Sequence, residues 1–170
     1  MMILVFKFVG NRENRAEPSD GGKMKTVLQK LGKTHIRDLL EISAVEGFPF
    51  RLSEESAELY CRDRDPADAG VQTYGVFADD RLVSVMTATF CVVFPCEDSP
   101  RGRIVHISGA FTLPAYRNRG FAFDLLKLIE EQAKRYGADY MCCDSTADGL
   151  YRSFGFVPAP ENETRMWKCI

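Results

Sequence analysis

From Ile104 to Gln132 the chain reads IVHISGAFTLPAYRNRGFAFDLLKLIEEQ. A β-branched run enters a proline turn. The turn enters Arg117-Asn118-Arg119-Gly120-Phe121-Ala122, which opens a stretch with helical apolar spacing. A helix start leaves its first backbone N–H groups without intrahelical partners, and the aligned peptide dipoles add about half a positive charge there. Gly120 and Ala122 keep that entrance free of bulk, and Arg117 and Arg119 add positive charge. Strand, basic turn and helix N-terminus together predict an anion site that phosphate oxygens can reach.

Elements on either side extend this unit. Ala122, Leu125, Ile129, Ala133 and Tyr136 mark the expected buried face of a helix over about residues 120–136, with Gly137 as its C′ residue. Tyr140–Asp144 is a short strand, followed by a short helix over Ala147–Phe154 and a terminal hairpin from Phe156-Val157 and Thr164–Ile170. Upstream, Lys25–Leu31 reads as a first strand and residues 35–45 as a helix with Thr34 as its N-cap candidate. Glu46–Phe50 breaks that helix, and Ser53 caps a second running to about Arg62. Gln72–Ala78 and Leu82–Phe94 flank Asp79-Asp80-Arg81 as a hairpin, and Arg103–Leu113 is the strand that leads into the turn.

The loop matches the pattern Arg/Gln-x-x-Gly-x-Gly/Ala as Arg117-x-x-Gly120-x-Ala122. About thirty residues on, Leu150-Tyr151-Arg152-Ser153-Phe154-Gly155-Phe156 carries a Leu-Tyr-x-x-x-Gly-Phe segment. In that order, the two motifs resemble the GNAT N-acetyltransferases. The likeness is firm over residues 103–157, extends by layout from Met24 to the end, and leaves out residues 1–23. It implies the acyl-CoA N-acyltransferase fold: α/β, with a mixed, mostly antiparallel central sheet and helices on both faces. The strands before and after the third helix are expected to be parallel neighbours that splay apart.

The resemblance also implies roles. Acetyl-CoA is the expected co-substrate, its diphosphate on the backbone N–H groups of Asn118, Arg119, Gly120, Phe121 and Ala122 with help from Arg117. Backbone groups of Phe111, Thr112 and Leu113 would bind the pantetheine arm. Tyr151 would protonate the departing thiolate. His106 stands eleven residues before Arg117, where histone-type members carry a glutamate base, if no bulge intervenes. An imidazole is a suitable base near neutrality. Asp144 is a second candidate base, and water a third route. Where the family often has an asparagine contacting coenzyme A, this chain has Asp144-Ser145-Thr146, so a hydroxyl would have to replace that contact. The acceptor would meet the link Glu46–Leu52 and the last hairpin, Pro158–Thr164, where Glu46, Glu161 and Glu163 offer negative charge.

Composition narrows the remaining classes. A chain of 170 residues suits one domain around one core. A net charge of −2 gives no support to nucleic-acid binding. Met1–Val9 is apolar, but Lys7 interrupts it, it is too short to span a bilayer, and it lacks a basic n-region and cleavage site. No membrane partner is expected. Cys61, Cys91, Cys96, Cys142, Cys143 and Cys169 form no Cys-x-x-Cys pair, and adjacent Cys142 and Cys143 would face opposite sides of a strand. They read as mostly small core residues of a reduced cytoplasmic protein that binds no metal.

Residues 1–23 form an N-terminal extension to a domain over 24–170. Either Met24 is the natural initiator, or Ile3–Val9 is a strand that pairs with a sheet edge, in this chain or in a homodimer. The expected function is transfer of acetyl from acetyl-CoA to an amine by direct attack in a ternary complex. The rival is a module that senses acyl-CoA without turnover, and a third class would carry longer acyl chains.

Overall fold

The computed structural model describes residues 24–63, 65, 68–144, 148–159 and 162–170. The expected strand Ile3–Val9, Ser145, Thr146, Glu161 and the side chain of Glu163 lie outside the described residues.

Seven strands form one sheet: β1 Thr26–Lys30, β2 Gly70–Ala78, β3 Arg81–Val92, β4 Arg103–Thr112, β5 Tyr140–Asp144, β6 Val157–Ala159 and β7 Asn162–Cys169. Their order is β1-β2-β3-β4-β5-β7-β6. Each neighbouring pair is antiparallel except β4 with β5. The β2–β3 turn holds Asp79 at φ 47° and Asp80 at φ 64°. Two consecutive positive φ values give a turn whose twist matches that of the flanking strands.

Helix α3, Phe121–Tyr136, lies across β2, β3 and β4 on one face. Its buried side chains are Phe121, Leu125, Leu126, Ile129, Gln132, Ala133 and Tyr136. Ala122 is half-buried rather than in the core, because Phe121 and Leu126 take up the contact at that end. The C-terminus closes with the Ala138 N–H donating to the Ala133 carbonyl at 2.9 Å, past Gly137. Tyr136 meets Phe90 of β3 edge to face at 5.3 Å. Asp139, just beyond, accepts from Ser99 Oγ at 2.8 Å and from the Arg101 and Arg103 N–H groups at 3.0 and 3.3 Å. That carboxylate ties the β3–β4 loop to the α3–β5 corner.

Helices α1, Ile36–Ser43, and α2, Glu54–Tyr60, pack over β3 and β2. The link between them crosses the other face of the sheet, with Phe50 Cζ 3.5 Å from where a Cβ on Gly109 would stand, beside Thr87. Ser53 caps α2 by accepting the Ser56 N–H at 3.2 Å. Thr34 does not cap α1: Lys33–His35 forms a 3-10 turn, and His35 Nδ1 takes the Gly32 N–H at 3.1 Å, so an imidazole closes the turn instead. The last helix, α4 Asp148–Ser153, joins β5 to the β6–β7 hairpin. Cys61, Cys142 and Cys143 are buried, but Cys91 is half-buried and Cys96 and Cys169 are exposed. The expectation that most of the six fill the core therefore holds for half of them, the others lying at strand ends or in the loop after β3.

Candidate functional site

The parting of β4 from β5 falls beside a bulge at one glycine. Ser108 pairs with Thr87, and Phe111 pairs with Val85, so Gly109 and Ala110 together oppose Met86. Gly109 has φ +60°, which a glycine adopts without strain. The pairing of β4 with β5 runs from Ile104↔Tyr140 to Ile107↔Cys143 and stops there, at the bulge. Beyond it, β4 stays bound to β3: Ser84 Oγ meets Thr112 Oγ1 at 2.7 Å and donates to the Phe111 carbonyl at 3.3 Å, and the Leu113 N–H donates to the Val83 carbonyl at 2.9 Å. Phe111 and Leu113 are buried, and the Thr112 carbonyl lies on the edge of the strand away from β3.

The loop that follows is shaped for an anion. Pro114–Tyr116 makes one 3-10 turn. Arg117 turns back, its Nε donating to the Thr112 carbonyl at 3.1 Å and its guanidinium 6.0 Å from the Phe111 ring. Asn118 and Gly120 both have left-handed φ, 60° and 84°. Asparagine tolerates that conformation; at Gly120 no heavy atom lies within 4 Å of an added Cβ, so the approach is open. The Asp124 N–H donates to the Gly120 carbonyl at 3.0 Å, which leaves the N–H groups of Phe121, Ala122 and Phe123 ahead of the helical ladder. Arg119 lies 5.4 Å from the Tyr116 ring, with Nη1 3.7 Å from Met24 Sδ. A Cβ-free N-cap, a helix N-terminus and two guanidiniums fit a diphosphate.

Tyr151, on α4, is buried at 5% exposure, with its ring 5.4 Å from Phe156. Burial raises its phenol pKa, and the nearby Cys143 adds to the effect. A phenol so placed keeps its proton. Phe154, also on this side, meets Phe123 of α3 at 5.0 Å, so α4 is seated on the helix that carries the loop. Cys143 itself is pushed up to about 12 by burial.

His106 lies on the other face. It pairs with Thr89 on one side and Cys142 on the other, and Cys142 pairs with Trp167. His106 Nε2 is 3.4 Å from Asp144 Oδ2, a long contact, and Arg165 Nε donates to Asp144 Oδ1 at 3.0 Å. Burial raises the Asp144 carboxyl, but the Arg165 hydrogen bond and charge, then His106, outweigh it and leave it below the ordinary range. Burial pushes the Cys142 thiol up to about 11, so it is no ready nucleophile. The bulge at Gly109 lies between His106 and Arg117, so the eleven-residue count does not run along a regular strand.

Sequence reasoning named residues that the structure gathers in two places: Phe111–Leu113 and Arg117–Ala122 at one end of β4, and, across the sheet, Tyr151 on the α3 side and His106 with Asp144 on the other. It missed Arg165, and it missed the way Phe48 and Phe50 cover the bulge. Gly109 inside a β-branched run was the available signal for that bulge. Two concavities lie away from the parting: one of about 290 Å³ between β1–β2 and α3, and one of about 250 Å³ beside the β2–β3 turn. Among the described residues, no cluster of His, Cys, Asp and Glu suits a metal, and no helix is long and apolar enough to cross a membrane.

No protein of curated function matches the chain. Among solved structures, a predicted acetyltransferase from Clostridium acetobutylicum, with acetyl-CoA, superposes with a TM-score of 0.64 at 17% identity, over 81% of this chain and 93% of that one. The aminoglycoside N-acetyltransferase AAC(6′)-Iy in complex with CoA gives 0.63 at 16% identity, over 83% and 93%. A probable N-acyltransferase from Enterococcus faecalis gives 0.62 at 18% identity; it covers 79% of this chain, which spans only 32% of that protein. At these identities the likeness is one of fold. The profile of the acetyltransferase (GNAT) family matches residues 35–156, a span that encloses the bulge, the anion loop and Tyr151, and the chain belongs to that family.

Proposed function

We propose that the protein transfers acetyl from acetyl-CoA to an amine, by direct attack within a ternary complex, and that residues 24–170 are the catalytic unit. The observation that carries this reading is the end of β4. There a strand outruns its parallel neighbour and leads, through one 3-10 turn, into a helix whose N-cap is a glycine at left-handed φ with nothing near its absent Cβ. The backbone of Asn118 to Ala122, with Arg117 and Arg119, binds the diphosphate. The open edge of Phe111–Leu113 lines up the pantetheine arm. The thioester supplies the activated acyl group.

Protons are handled from both faces. Tyr151 gives its proton to the departing thiolate; burial raises the phenol pKa, which opposes the transfer, and the same dry surroundings raise that of the thiol and offset it. His106 removes the proton from the amine, through water. Three residues of extended chain, about 10 Å, separate it from the bulge, too far for direct contact. Asp144 orients the imidazole and is itself fixed by Arg165.

The test is calorimetry with coenzyme A followed by thiol release with a panel of amines. Gly120→Glu is strained at φ 84° by about 1–2 kcal/mol, but its Cβ meets nothing, so it should still fold while weakening coenzyme A binding tenfold or more by repelling the diphosphate. Unchanged affinity in that variant would remove the loop from the mechanism. Binding without thiol release for any amine would leave a sensor of acyl-CoA.

A further inference from the structure

We infer that the acceptor is a monoamine carried on an aromatic or branched apolar body, and that polycationic amines are poor acceptors. This rests on the acetyl-transfer reading and adds the class of acceptor. The argument comes from the face of the sheet that carries His106. One wall of that face is aromatic. Phe48 lies 5.0 Å from Phe111, Phe50 meets Phe48 edge to face at 5.6 Å, and Phe50 stacks on Tyr60 at 6.3 Å. Phe50 is 37% exposed although its ring tip reaches the bulge. Exposed phenyl surface beside the end of β4 offers packing to an apolar group and, through a ring face, attraction to one ammonium, but no carboxylate to a second.

The floor repeats the pattern. Ile104, His106, Tyr140 and Trp167 are half-buried on it, with Cys142 buried between them. Trp167 meets Tyr140 edge to face at 5.6 Å. Asp144 is the carboxylate on the described part of the floor, and it is committed to Arg165 at 3.0 Å and His106 at 3.4 Å. In the wall, Glu46 and Arg51 are both exposed and of opposite sign. A polyamine needs several uncommitted carboxylates to repay the desolvation of its charges. The described floor and the link therefore carry no net negative charge, and the exposed Glu54, Glu55 and Glu58 lie farther along, on α2. A single amine, delivered by a ring or branched chain packed on Phe50, meets no such cost.

The test compares 2-phenylethylamine and isoamylamine with spermidine in thiol release from acetyl-CoA. The two apolar amines should show a kcat/KM at least about tenfold higher than spermidine; the reverse order overturns the inference while leaving acetyl transfer intact. Phe50→Ala should raise KM for 2-phenylethylamine about tenfold, and Phe50→Leu should restore most of it. Arg165→Gln frees Asp144 and should improve spermidine at least about threefold. Trp167, the single tryptophan, gives a readout that needs no turnover. With coenzyme A bound, 2-phenylethylamine should change its emission saturably, several-fold more weakly in Phe50→Ala, and spermidine should not. Saturable binding of the apolar amines, with no thiol release from any amine of the panel, would sustain the apolar site and sink the acetyl-transfer reading. Neither binding nor release with the apolar amines would overturn the inference, and would overturn acetyl transfer as well only if spermidine and the rest of the panel also failed.

Discussion

The β4–β5 pair has two faces that have been put to different use. Toward α3, Val105, Ile107, Met141 and Cys143 are between 0 and 2% exposed. On the reverse of the same strands, Ile104, His106 and Tyr140 are half-buried, and Asp144 keeps 41% of its side chain exposed. Adjacent residues point to opposite sides, so one strand can be core and site at once. The difference teaches how a sheet can carry the proposed proton-handling residues while the proposed diphosphate contacts come from a loop. A face closed by a sixteen-residue helix holds the other face still.

Tyr151 is where that division is easiest to break, since it lies on the closed side and is assigned a chemical task. Tyr151→Phe keeps the ring against Phe156 and should lower kcat by about 10²–10⁴ with little change in the KM for acetyl-CoA. A drop of less than about threefold would return it to packing. Next in size is Met141→Ala on the closed face, which should cost about 2–5 kcal/mol in urea unfolding. His106→Ala, one strand away on the reverse, should cost less than about 1 kcal/mol. It should nonetheless flatten the acidic limb of the kcat/KM profile. An unchanged profile would hand deprotonation to water, Asp144 or the amine itself.

The smallest effect concerns Asp144. Its folded pKa lies below the ordinary value near 4. Its contribution is therefore full above pH 4 and is lost as pH falls through the lowered value. Urea unfolding of the wild type and Asp144→Asn should differ most above about pH 4 and converge as pH falls through the lowered value. The gap should stay under about 1 kcal/mol, because solvent screens a half-exposed pair. A constant gap at all pH values would mean that the pair with Arg165 does not hold the carboxylate.

The elements that sequence reading placed well are those with a local physical signature. Helical spacing from Leu125 to Tyr136 and the αL stop at Gly137 bounded α3, and Ser53 marked the start of α2. Thr34 misled because hydroxyl capping was outcompeted by an imidazole one residue on. Ala122 misled because helical phase alone cannot say which neighbour a tertiary surface prefers. The family, and with it the fold, was legible from two short motifs. Arg165 was not, because its partner Asp144 lies twenty-one residues away and meets it only when β5 pairs with β7. Phe50 against Gly109 is equally non-local. Such contacts leave no period in the chain.

β4 extends five residues past the last rung it shares with β5. The strand therefore ends as a half-ladder. Thr112 directs its carbonyl away from β3, where Arg117 Nε reaches it, and by strand geometry its N–H points the same way. In a sheet, such groups are normally exchanged with a neighbouring chain. A ligand with amides spaced along an extended arm can supply those rungs and act as a short substitute strand. Binding then becomes a form of sheet completion. Slowed amide exchange should concentrate at Thr112, since the Leu113 N–H is already held by the Val83 carbonyl. By linkage, the whole domain should gain about 2.7 kcal/mol of unfolding free energy at a hundred times Kd.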